Sequence, residues 1–70
     1  MTEADAIFRE GLALHQMGDQ TRAQEHYTRV LAIAPRHFDA LHMQGVLALQ
    51  EKDFTRAIAL ITEAIALGPD

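Results

Sequence analysis

Four histidines, His15, His26, His37 and His42, are the side chains of this 70-residue chain best placed by chemistry to hold a metal or move a proton near neutral pH. Two helical ligands of one metal normally sit four residues apart, as in H-E-x-x-H. The gaps here are 11, 11 and 5, none of which is that one-turn spacing. Solvent-exposed histidine is the expectation, and no metal site is expected. Nucleophilic catalysis has as little to work with: cysteine and serine are absent, and the threonines form no triad motif with a histidine. Glu3 and Asp5 read as charges that favour the positive end of a helix rather than as a paired acid and base. Gly11, Gly18, Gly45 and Gly68 are isolated, so no glycine loop cradles a phosphate. These residues point away from an enzyme and from any cofactor.

Ten acidic and six basic side chains give a formal charge of −4. Affinity for nucleic acid rests largely on phosphate contacts from clustered Lys and Arg. Arg9, Arg22, Arg29, Arg36, Lys52 and Arg56 are scattered instead, so nucleic acid is not an expected partner. The opening run Met1 to Asp5 is acidic and has neither the basic start nor the apolar run of a secretory signal. No apolar stretch reaches the roughly 20 residues of a membrane span. With no cysteine to bridge, the expected setting is the cytoplasm, with no membrane partner.

What must position these side chains is a repeat. Gly11 recurs as Gly45, Ala23 as Ala57 and Pro35 as Pro69, each 34 residues on, and Asp19, Thr21 and Arg22 recur as Asp53, Thr55 and Arg56. A fixed period of this kind marks stacked supersecondary units, none able to bury its apolar face alone. Within each period, apolar residues return at three- and four-residue steps, the pattern of helices with one buried stripe. The first helix is expected from about Glu3 to Met17, carrying Ile7, Gly11 and Leu14. Thr2 caps it with Asp5 three residues on, and Gly18 stops it. Asp19 caps a second helix with Ala23, Tyr27, Val30 and Leu31, ended by Pro35 because the residue before proline leaves helical geometry. A third runs from about Phe38 to Gln50 with Leu41, Gly45 and Ala48. Asp53 opens a fourth, carrying Ala57, Ile61, Ala64 and Ile65 to Gly68-Pro69. Lys52 replaces Gly18 at the second turn, which is less strongly specified. Short turns force sequential helices antiparallel, and the class is all-α. Glycine inside a helix costs about 1 kcal/mol relative to alanine, so Gly11 and Gly45 at one phase imply close helix packing, with Ala23 and Ala57 at the same crossings.

Both units resemble tetratricopeptide repeats. The pattern W-x2-L-G-x2-Y…A-x3-F…P corresponds to Ile7, Glu10, Gly11, Leu14, Ala23, Tyr27 and Pro35, and again to Leu41, Gln44, Gly45, Ala48, Ala57, Ile61 and Pro69. The resemblance implies one domain over residues 1–70, with repeats at about 4–37 and 38–70, stacked as two helical hairpins in a short right-handed superhelix. Aliphatic residues stand at several of the family's aromatic positions, which implies a smaller core. Glu10 and Gln44 occupy a position where the family usually has leucine. A buried unpaired polar group costs about 1–3 kcal/mol, so these two are expected to be exposed or hydrogen-bonded.

The resemblance also implies a protein-binding function. In such arrays the first helix of each unit lines a concave groove for a peptide or helix. By register the groove presents Asp5, Phe8, Leu12 and His15 from the first unit, and Asp39, His42, Val46 and Leu49 from the second. This face is apolar in the middle with an acidic entrance, suited to an amphipathic helix or extended apolar segment with basic flanks; the alternative is that Leu12, Val46 and Leu49 are core. The family's Lys, Asn and Arg clamp for a C-terminal carboxylate is absent, and Asp5 and Asp39 would repel that group.

The echo fails most sharply in the fourth helix, where Gln24-Glu25-His26 becomes Ile58-Ala59-Leu60. A terminal helix should carry a polar outer face, whereas this one is apolar nearly all round. A homo-oligomer built on Ile58, Leu60, Ile61 and Ile65 is therefore expected, unless a further unit covers the helix. The runs Glu10 to Gln16 and Asp39 to His42 are also similar to the opening repeats of larger bacterial proteins that join such repeats to glycosyltransferase or sulfotransferase domains. An N-terminal, substrate-recruiting segment of such an enzyme is the alternative reading.

Overall fold

The computed structural model describes residues 2–68, which form four helices and no strand: α1 (Glu3–Gln16), α2 (Gln20–Ile33), α3 (Phe38–Gln50) and α4 (Phe54–Leu67). Connections of three, four and three residues leave no room for a crossover. α1 therefore packs on α2 and α3 on α4 as antiparallel hairpins, and α2 joins the hairpins by packing on α3. The all-α expectation holds, and helix ends fall within a residue of where the sequence places them. Pro69, expected as the second unit's terminator, lies outside the described residues.

Each boundary has a local cause. At α1, the Asp5 N–H donates to Thr2 Oγ1 at 3.1 Å while the Thr2 N–H donates to Asp5 Oδ2 at 3.3 Å, a reciprocal capping box. Asp19 Oδ1 accepts from the Arg22 N–H at 3.2 Å, and its counterpart Asp53 accepts from the Arg56 N–H at 3.3 Å. Gly18, at φ +86°, lets its own N–H reach the His15 carbonyl at 3.0 Å and the Asp19 N–H reach the Leu14 carbonyl at 2.9 Å. Lys52 copies this turn at φ 64°, with Lys52 N–H to Leu49 O at 3.0 Å and Asp53 N–H to Ala48 O at 2.8 Å. The second turn thus has the same geometry without the residue that takes it cheaply.

The core is thin and depends on close approach. A Cβ on Gly11 would stand 2.7 Å from Tyr27 Cε1, and one on Gly45 would stand 2.7 Å from Ile61 Cγ1. These are equivalent crossings in the two hairpins, so the glycines are there for packing. Tyr27 and Val30 are the largest side chains buried completely. Tyr27 joins Ala23 and Leu47 in one cluster, and Val30 joins Ala4, Ile7 and Ala40 in another; both bridge the hairpins. Gln44 is buried and its Nε2 donates to Thr28 Oγ1 at 2.9 Å, whereas Glu10 is exposed. The pair divides between the two outcomes expected of it.

Candidate functional site

α1 and α3 lie side by side on one face of the molecule and are tied together near both ends. At the N-terminal end His37, which directly precedes α3, makes two bonds. Its Nδ1 accepts from the Ala40 N–H at 3.1 Å and so caps the helix, and its Nε2 lies 3.2 Å from Asp5 Oδ1 on α1. An Nδ1 that accepts leaves the ring proton on Nε2, aimed at the carboxylate. At the other end His15 Nε2 lies 3.2 Å from Gln50 Oε1, which also accepts from Gln20 Nε2 at 3.0 Å.

Near the N-terminal tie the surface opens into a cleft of about 470 Å³ lined by Asp5, Phe8, Arg9, Leu12, His37 and Asp39. Phe8 forms its floor, its ring 5.6 Å from that of Tyr27 and 5.1 Å from that of His37. Leu12 is half-buried beside it against the Tyr27 cluster. Asp5 titrates below its ordinary value of 3.8, because the Thr2 backbone N–H, and then His37, donate to its carboxylate. The cleft therefore has an apolar floor and three charged side chains on its rim: Asp5 and Asp39, with Arg9 of opposite sign.

Four of the eight groove residues read from the sequence, Asp5, Phe8, Leu12 and Asp39, line this cleft. The other four do not. His15 belongs to the C-terminal tie, and exposed His42 stacks on Phe38 with centroids 6.1 Å apart. Val46 is half-buried and Leu49 exposed farther along α3. Two lining residues were missed. Arg9 was legible, since Asp5, Phe8, Arg9 and Leu12 follow the i, i+3, i+4, i+7 spacing of one helix face. His37 was not, because it lies before its helix and meets Asp5 only through the fold.

A second surface lies on α4. Ile58 is 66% exposed, Ile65 71% and Phe54 57%, and at about 100° per residue these three share one side of the helix with Ile61. Ile61 is half-buried against Gly45. Leu60, also half-buried, points away from this stripe, about 160° round the helix from Ile58. Phe54, missed in the sequence, takes its place, one turn before Ile58.

Among the described residues no three His, Asp or Glu side chains converge as a metal site would require, and no helix is long and apolar enough to cross a membrane. The helical hairpins, the glycine crossings and the groove between successive first helices are accompanied by a direct match: the family model for the tetratricopeptide repeat fits residues 8–70. With nine-tenths of its length covered by that match, the chain belongs to the tetratricopeptide repeat family.

Proposed function

We propose that this chain is a non-catalytic protein-interaction module whose α1–α3 cleft takes up a helix or extended segment of a protein partner. The observation that carries this reading is the cleft itself, with Phe8 and Leu12 as an apolar floor between Asp5 and Asp39 on its rim. Apolar anchors give such a site affinity, and a few rim charges orient the ligand. Asp39 and Asp5 favour basic flanks on the bound segment, and Arg9 accepts one acidic position.

Selection of a random displayed-peptide library on the immobilised chain tests this. Enriched peptides should combine apolar anchors with basic residues and lose binding to Leu12→Lys and to Asp39→Lys. Enrichment that ignores both substitutions would place recognition elsewhere.

A second contact reading rests on the exposure of Phe54, Ile58 and Ile65: the chain associates with itself through α4. Apolar burial is worth about 25 cal/mol per Å², and so thin a core gains from it. Light scattering at micromolar concentration checks this, and a mass that stays at 7.8 kDa throughout counts against it.

A further inference from the structure

The repeat register relates both outer faces of the chain to a contact already formed inside it. Where the hairpins meet, α3 presents Met43, Gln44 and Leu47 to α2: Leu47 packs with Ala23 and Tyr27, Met43 packs beside them, and Gln44 bonds Thr28. One register earlier, α1 carries Arg9, Glu10 and Ala13 at the same positions, all exposed. On the other side of the junction α2 presents Gln20 to Gln50 and Gln24 to Arg56; the Gln24 amide oxygen accepts from the guanidinium at 3.0 and 3.2 Å. One register later those two glutamines become Phe54 and Ile58. The outer faces of the two described hairpins therefore differ in kind: α1 carries charge there, and α4 carries an apolar stripe.

Head-to-tail stacking of copies would lay the α4 stripe on the α1–α2 hairpin. In register, that contact would set Phe54 on Gln16 and Ile58 on Arg22, the counterparts of Gln50 and Arg56. It would strip water from both without the glutamine partners that Gln20 and Gln24 supply at the inner junction, an uncompensated desolvation. We propose instead that two copies pair α4 to α4, antiparallel about a twofold axis. The stripe Phe54, Ile58, Ile61, Ile65 is spaced four, three, four, the same read from either end. An antiparallel copy sets Phe54 opposite the partner's Ile65 and Ile58 opposite the partner's Ile61, apolar on apolar throughout. Such an isologous contact uses one patch on both copies and closes at two, whereas a head-to-tail contact that does not close grows into a filament. Both clefts stay open, because they lie between α1 and α3, so the dimer presents two binding grooves.

This inference rests on the self-association reading and is tested separately from it. Sedimentation velocity over a wide concentration range should show the mass rising from one chain to two and stopping there. Ile58→Glu and Ile65→Lys should each hold it at one with the helical circular dichroism retained. If one of them loses helicity, the other decides. Ala13→Glu, on the exposed face of α1, should still reach two. Growth past two, or loss of the dimer in Ala13→Glu, overturns the twofold arrangement but leaves self-association standing. A wild-type chain that stays single into the millimolar range overturns both.

Discussion

Gly11 faces Tyr27 so closely that a methyl group in its place would stand 2.7 Å from Tyr27 Cε1 and 3.1 Å from His26 Cβ. The equivalent Gly45 faces Ile61 Cγ1 at the same 2.7 Å, yet the two crossings differ in what can yield. Tyr27 is a rigid ring with no exposed surface, whereas Ile61 is half-buried at the edge of the core.

Gly11→Ala should therefore destabilise the fold despite alanine's better helix propensity. Overpacking costs about 1–3 kcal/mol against about 1 kcal/mol gained in the helix, for a net loss of up to about 2 kcal/mol. Gly45→Ala should cost less than Gly11→Ala, because Ile61 lies half-buried at the edge of the core and has more room to shift than Tyr27. Urea unfolding of the two variants side by side reads the difference, and equal losses would mean that Ile61 is held as firmly as Tyr27.

Tyr27→Phe should stabilise the protein. The Tyr27 hydroxyl is buried and has no hydrogen-bond partner among the described residues, and an unsatisfied buried polar group costs about 1–3 kcal/mol. Burial also raises its ionisation above the ordinary value of 10.0. The folded state thus favours the neutral phenol, a contribution that is complete below about pH 10 and lost as pH rises through the raised folded value. Tyr27 is the only tyrosine, so phenolate absorbance reports it directly. A midpoint at or below 10 in the folded chain would contradict the burial.

Lys52→Gly should stabilise the α3–α4 turn by about 1 kcal/mol, since a left-handed backbone costs an L-residue about 1–2 kcal/mol that glycine avoids. Lys52 is exposed at φ 64°, so no packing is lost with its side chain. The converse Gly18→Lys should lose a similar amount, and thermal unfolding of both compares the two turns.

Asp5 supplies the acid-side dependence. Its folded pKa lies below 3.8, so its contribution to stability is complete above the unfolded value and lost as pH falls through the lowered folded one. His37→Ala should shift the Asp5 midpoint upward while leaving the part due to Thr2, the larger cause, in place. Carboxyl NMR titration measures this. An unchanged midpoint would mean that the His37 contact does not hold in solution.

The turns and helices were legible because their causes are local. Thr2 with Asp5, Asp19, Asp53, Gly18 and Pro35 each act within a few residues of their own positions. The glycine crossings were legible at one remove, because a costly residue repeated at one phase demands a packing reason. His37 as a cap and Phe54 as part of the α4 stripe went unread for different reasons. His37 works only because the fold brings Asp5 to its second nitrogen. Phe54 is the first residue of α4 and is followed by the polar Thr55 and Arg56, so it joins the stripe only once the helix start is fixed one residue before them.

By itself, then, the sequence determined four helices, their ends and the phase of each apolar stripe, since backbone hydrogen bonding and side-chain periodicity are properties of neighbouring residues. The tertiary structure decided which stripe is covered. Gln24 and Ile58 hold the same place in their repeats, but Gln24 meets Arg56 across the hairpin junction while Ile58 faces outward. Burial belongs to a pair of surfaces, and periodicity describes only one of them.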